Sequence, residues 1–336
     1  MEGYMLRYQK NITLFFLILS IISTTTVSAG SETDLGKGIA LFETEKYDDA
    51  RQLFSAMATK EPNNPEACYY LGRIFLNDGD AEKAITWLGK AIDINAGVSK
   101  YHQWLGLAYG NKIHSTANFK KPLIALKIKN EYEKAIELDE DNNQARFGLV
   151  TYYLDAPGFM GGSIKKAGKF ADELQKRDPV MGHEAYIKIY EAEKKYDLAE
   201  KEYIALLEKD PANFEYRNKF AWFYISRKDY ETAYNELVEM VRDYPERDWP
   251  YYSIGYIGFV SNTHLDDAEK SMLKLFDVIA TSNTIRHPND RLAWYHYMLG
   301  SIYKKNMKKD LARNEFEFAL NLNPFLKEAK EAFDGL

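Results

Sequence analysis

The sequence predicts an all-α chain: a solenoid of about eight helix-turn-helix units followed by a capping helix. Three observations predict it. Residues recur with a period of 34, which separates Gly38, Gly72 and Gly106, Ala50 and Ala84, Tyr190 and Tyr224, Tyr196 and Tyr230, and Ala199 and Ala233. Within each period, apolar residues fall at helical steps on both sides of a polar break, so each unit holds two helices, A and B. Proline, which costs about 3 kcal/mol inside a helix, keeps to unit ends (Pro62, Pro179, Pro211, Pro245, Pro324) or to first turns and loops (Pro65, Pro122, Pro157, Pro250, Pro288).

Residues 1–29 stand outside the pattern. Arg7 and Lys10 precede an apolar run at 12–22, hydroxyl residues follow at 23–26, and Val27-Ser28-Ala29 is a small-residue cleavage pattern. This is the order of a secretory signal peptide. A run of eleven residues is too short for a span, which needs about 20. Cleavage after Ala29 is expected, which would place the protein in the periplasm or outside the cell with no stable membrane span. Cys68 is the only cysteine of the 336 residues, so no internal disulfide forms. It lies on an apolar stripe and is expected to be a buried, inert thiol.

The units fall at about 31–64, 65–98, 99–142, 143–179, 180–213, 214–247, 248–288 and 289–325. With Pro65 in slot one, Leu71-Gly72 fill slots seven and eight, Phe75 eleven, Ala84 twenty, Leu88 twenty-four and Ala91 twenty-seven. Leu299-Gly300, Tyr303, Ala312, Phe316, Ala319 and Pro324 repeat this order. Slot eight is small because helices A and B are expected to cross there. Glycine costs about 1 kcal/mol of helix propensity against alanine, so close packing must offset it. Two units depart locally, with Ile187 in the small slot of the fifth and Gly258 in a large slot of the seventh.

These residues resemble the tetratricopeptide repeat family over about 31–325, and the resemblance implies a right-handed superhelix over residues 30–336. Residues 326–336 form an amphipathic helix with a polar outer face, as the end of a stack requires. Two insertions fall in A–B turns, at about 110–122 and 155–163. The second holds Ala156-Pro157-Gly158 and Gly161-Gly162-Ser163, and the pair resembles a group of secreted tetratricopeptide proteins of Gram-negative bacteria with no known activity. Gly161, Gly162 and Ser163, beside Lys165 and Lys166, form a candidate anion loop. The competing reading is a turn in which Ser163 caps helix B.

Catalytic and metal-binding patterns are missing. His102, His114, His183, His264, His287 and His296 are scattered, and His102 and His296 occupy slot four, a packing position. Asp139, Asp141 and Asn143 start like a calcium loop, but Gln144 and Val150 stand where glycine and glutamate are needed. No nucleophile elbow, zinc helix or dinucleotide fingerprint occurs. The net charge of −6 argues against nucleic acid as partner. No enzyme activity, cofactor or metal is expected.

A recognition face is what the pattern offers. In the resemblance the A helices line a concave groove, and slots two, five, nine, twelve and thirteen face away from helix B. The candidate groove residues are Tyr69, Arg73, Phe147, Lys188, Asn218, Trp222, Tyr252, Tyr256, Phe259 and Tyr297, with Trp249 and Trp294 among their neighbours. Tyr and Trp suit recognition because they combine apolar area with a polar tip. The Lys/Asn carboxylate clamp of some relatives is absent. The expectation is a non-catalytic, protein-binding scaffold of the bacterial cell envelope that takes an extended peptide or partner helix. The alternative is a small-ligand or lipid-binding component accompanying a transport system.

Overall fold

The computed structural model describes residues 29–281 and 288–336. The leader expected over 1–29 lies outside them apart from Ala29, as does His287. The described residues form two compact units, one up to Tyr152 and one from Tyr153 onward. Each is a stack of helix pairs, the arrangement of an α-solenoid.

The N-terminal unit holds α1 (Ala29–Glu43), α2 (Tyr47–Lys60), α3 (Pro65–Asn77), α4 (Ala81–Ile94), α5 (Ser99–Ser115), α6 (Lys121–Leu138) and most of α7 (Asn143–Asp155). Pairs α1/α2, α3/α4 and α5/α6 pack internally, each joins the next, and the first helices α1, α3 and α5 also touch in sequence. The C-terminal unit holds α8 (Ile164–Arg177), α9 (Pro179–Ala192), α10 (Tyr196–Lys209), α11 (Phe214–Ser226), α12 (Tyr230–Asp243), α13 (Asp248–Ser261), α14 (Leu265–Thr281), α15 (Asn289–Lys305), α16 (Lys309–Leu322) and α17 (Lys327–Asp334). Helices α9 to α16 form four pairs, and α17 covers the last one through Ala329, Ala332, Phe333 and Leu336. The cap expected at 326–336 is therefore present.

The small slot works as steric matching. A Cβ on Gly72 would stand 2.5 Å from Leu88 Cγ, on Gly38 2.7 Å from Phe54 Cε1, and on Gly300 2.6 Å from Phe316 Cε1. Gly106 faces Tyr132 and Gly255 faces Met272 in the same way. Slot eight is thus kept small so that slot twenty-four can be large. Of the two local departures, one follows this logic and one does not. Gly258 admits the Cβ of Ala268, which brings α13 and α14 together over a longer stretch. Ile187 is buried in one cluster with Tyr203, the slot twenty-four residue of its own pair.

A second recurring device ties the pairs. Slot four carries His102, His183, Arg217 and His296, and each bonds a glutamate on the following helix. The partners Glu202, Glu236 and Glu315 lie 19 residues on, and Glu131 lies 29 on. The additional ten residues are the first insertion. The turns repeat as well. Glu45, Gly79, Lys194, Lys228 and Met307 adopt positive φ two residues after the end of the first helix of a pair, and Asn262 does so directly after α13. At Gly79 the backbone closes with Gly79 N–H to Leu76 O at 3.1 Å and Asp80 N–H to Phe75 O at 2.8 Å, a Schellman ending. Only one of these six residues is glycine.

The insertions are built differently from the expected loops. The first lengthens α5 to 17 residues and α6 to 18, with a short 3-10 turn at Asn118–Lys120 between them. The second is a compact turn around Gly158–Met160. In the C-terminal unit, the Lys305 ammonium donates to Gly258 O at 3.2 Å and to Phe259 O. It thereby caps the end of α13, where helix carbonyls lack intrahelical partners. Burial pulls the Lys305 pKa below its ordinary value. Cys68 is a buried free thiol, its pKa raised by the same cause.

Candidate functional site

The first helices of the pairs carry two distinct arrays of side chains, one in each unit. Both follow from helical geometry: residues four apart share a face, so slots five, nine and thirteen line up.

In the N-terminal unit the centre is Arg73 on α3. Its guanidinium lies 4.4 Å from the Phe42 ring centroid and 4.3 Å from that of Trp104, with Tyr69 at 5.5 Å and Tyr70 at 5.8 Å. The rings come from α1, α3 and α5, so three successive first helices build one box. The Arg73 Nε is buried without a hydrogen-bond partner. Among the described residues no carboxylate forms an ion pair with it. Tyr69, placed by the sequence on the open face, is only 4% exposed and packs against Tyr70 and Tyr101. It underlies the face because the neighbouring first helix covers it, and burial pushes its pKa up to about 12. Phe147 is half-buried on α7.

In the C-terminal unit the array is aromatic. Trp222 on α11 meets Trp249 and Tyr256 on α13, at centroid separations of 5.8 Å and 5.6 Å. Tyr252 lies 6.2 Å from Tyr256 and 5.3 Å from the buried Tyr295. Phe259, Trp294 and Tyr297 form a second group, with Phe259 6.1 Å from Trp294 and 5.6 Å from Tyr297, and Trp294 5.1 Å from Tyr297. The seven rings other than Tyr295 are half-buried. Phe259 meets Trp294 and Tyr297 edge-on, the other contacts among them are tilted, and each of the seven keeps part of its surface open. Asn218 stands one turn from Trp222 on α11, and its Oδ1 is buried without a partner. Lys188 is exposed on α9 and lies in the field of Glu191. Ile225, also placed on the open face by its slot, is buried in the core instead.

The candidate anion loop is a turn. Gly161 N–H donates to Gly158 O at 3.0 Å, Gly162 N–H to Pro157 O at 3.1 Å and Ser163 N–H to Tyr153 O at 2.8 Å. No amide of the three is left for an anion. Ser163 caps α8 by accepting from Lys166 N–H. Gly162 is obligatory because a Cβ there would collide with the Ala156 carbonyl. Among the described residues no cluster of His, Cys, Asp or Glu could hold a metal, and no helix is long and apolar enough to cross a membrane.

Sequence reasoning missed the Arg73 box. Its signal was present, as Phe42, Tyr69-Tyr70 and Trp104 sit in successive first helices. Stacked pairs of antiparallel helices with a matched glycine crossing define a helical-repeat protein. Two tetratricopeptide repeat family models match it, over residues 41–106 and 295–325. The protein is a tetratricopeptide-repeat protein. A tetratricopeptide-repeat protein of Thermus thermophilus aligns with a TM-score of 0.51 and 18% identity, over 58% of this chain and 99% of its own. Human IFIT1, in a dimer with m7Gppp-AAAA, aligns with a TM-score of 0.55 and 16% identity, over 87% of this chain and 71% of its own. At such identities the likeness concerns the fold alone. No curated protein matches the sequence.

Proposed function

We propose that this chain is a non-catalytic scaffold of the cell envelope that holds an extended peptide or a partner helix on its first-helix face. The repeat fold supports a role in protein interaction in general. The observation that carries the finer reading is the bed of half-buried rings formed by Trp222, Trp249, Tyr252, Tyr256, Phe259, Trp294 and Tyr297. Rings serving only the core would be covered, whereas these keep apolar area and polar tips open. Export rests on the leader pattern, and N-terminal sequencing of the exported protein should begin at Gly30. A start at Met1 would sink the cleaved leader and imply a membrane anchor in its place.

The binding test is a random-peptide display library panned against the wild-type chain. Selected peptides are then measured on the Trp222→Ala/Tyr256→Ala variant. Loss of about 2 kcal/mol, roughly 30-fold in affinity, with the variant still folded supports the aromatic bed. Peptides that bind both forms equally would move the binding face elsewhere.

A further inference from the structure

The first insertion carries a feature that the scaffold does not use. Residues 111–130 contain Lys112, Lys120, Lys121, Lys127 and Lys129 and no Asp or Glu, in a chain of net charge −6. Lys112 pairs with Glu82 and Lys129 with Glu133. Among the described residues, Lys120, Lys121 and Lys127 have no ion pair. Lys127 reaches only the Tyr109 hydroxyl, at 3.5 Å, and Lys120 lies over the Phe119 ring.

Beside these lysines three large apolar side chains stand in solvent: Phe119 is 81% exposed, Leu123 60% and Leu126 51%. They are spaced four and three residues apart across the 3-10 turn and the start of α6, so they form one stripe. Lys120 and Lys127 follow Phe119 and Leu126 directly and are themselves seven apart, so they line one edge of that stripe. The opposite face of α6 is spent in the core through Ile124, Ala125 and Ile128. The exposed stripe is therefore not needed for folding, and its apolar area faces water at a free energy cost.

We propose that this edge of the third repeat docks on an anionic lipid surface. An apolar stripe edged by cations is the pattern of an interfacial helix, with Phe119 and the two leucines entering the headgroup boundary and the lysines meeting anionic headgroups. A lipid surface suits this geometry better than an acidic protein does. The apolar groups protrude, so a protein would need a matching cavity, while a fluid interface opens around them. The stripe is far too short to span the bilayer, and docking is peripheral.

The test is sedimentation of the full chain with vesicles of equal phosphatidylglycerol and phosphatidylcholine, against vesicles of phosphatidylcholine alone. Each lysine brought to an anionic surface is worth about fivefold in binding. Lys120→Gln/Lys121→Gln/Lys127→Gln is expected to weaken anionic binding about 100-fold. Phe119→Ser/Leu123→Ser is expected to weaken it at least about tenfold. Any contribution of residues 12–22 is common to all forms and cancels between them. All five substituted side chains lie outside the buried core, and melting curves check that the variants fold. Equal binding to both vesicle types, or variants that bind as wild type does, would overturn the proposal. So would wild type that ignores vesicles but dimerises until Phe119→Ser is introduced, which would make a second copy the occupant.

Discussion

The two units use the same helix pairs to present opposite chemistry. On α3 the ninth slot holds Arg73, a cation boxed by rings. On α11 and α13 the same slot holds Trp222 and Tyr256, which touch each other. The crossing beneath is conserved in kind: Gly72 against Leu88 in one unit, Gly300 against Phe316 in the other. The lesson is a division of labour within the repeat. Slots eight and twenty-four hold the pair together and tolerate little change, while slot nine is free to be charged, as in Arg73 and Lys188, or aromatic, as in Trp222 and Tyr256.

The largest effect should come from the shared slot. Gly72→Leu and Gly300→Leu each force a side chain into Leu88 or Phe316 and are expected to cost about 3 kcal/mol, the upper range of overpacking. Denaturant melts measure it. If only one of the two variants is destabilised, the crossing is not common to both units.

Next is a contrast between the two kinds of clasp. His102 has Nδ1 2.7 Å from Glu131 and Nε2 3.1 Å from Ala96 O, so both nitrogens face acceptors, which suits the protonated ring. The hydrogen bond to Glu131 raises its pKa above 6.5, against the opposing effect of burial. The unfolded chain binds that proton less tightly. The stabilisation is therefore complete below about pH 6.5 and is lost as pH rises through the raised value. Arg217 makes the same clasp to Glu236 but keeps its charge throughout. The stability gap between wild type and His102→Gln is expected to reach about 1.5–3 kcal/mol at pH 5.5 and to shrink by pH 8.5. The Arg217→Gln gap should stay constant from pH 6 to 8.5. A His102 gap independent of pH would mean that the ring packs as a neutral group.

A smaller loss should follow at the charged face. Arg73→Ala removes a cation from Phe42 and Trp104 and is expected to cost about 1–2 kcal/mol. Hydrogen exchange should show faster opening in α1, α3 and α5 with α11 to α15 unchanged. Faster opening in both units would show that their stabilities are coupled.

The smallest effect is a gain. Lys228 and Met307 hold the left-handed conformation that Gly79 holds in the second repeat. Lys228→Gly or Met307→Gly should relieve the Cβ strain and raise stability by about 0.5–1 kcal/mol, net of glycine's entropy. Gly79→Ala should lose a similar amount. A Lys228→Gly variant that melts earlier would show that its side chain contributes more than the backbone strain removes.

The fold was legible because its main signals are steric and periodic. Gly72 and Leu88, or Gly300 and Phe316, keep fixed slots, and no distant residue can alter what a helix crossing requires. The left-handed turns were half legible: Gly79 announces one, whereas Glu45, Lys194 and Met307 give no sign. The histidine clasps show only when the 19-residue spacing is tested against the insertion, which moves Glu131 to 29. The candidate site was legible as a list of rings, and Trp222 and Tyr256 do meet. Tyr69 and Ile225 went astray because burial of a first-helix residue depends on the neighbouring pair, which a single period does not describe.

The Lys305 cap has a consequence for how the protein comes apart. Its ammonium holds carbonyls 46 and 47 residues earlier, so the last turn of α13 cannot fray while α15 stays in place. Repeat stacks commonly unravel from an end, one unit at a time, because each unit touches only its neighbours. Here the two final pairs share a polar tether as well as a packed seam. Their amides should therefore exchange as one cooperative block. A protease would meet that end of the chain either closed or open across both pairs, with little time spent between.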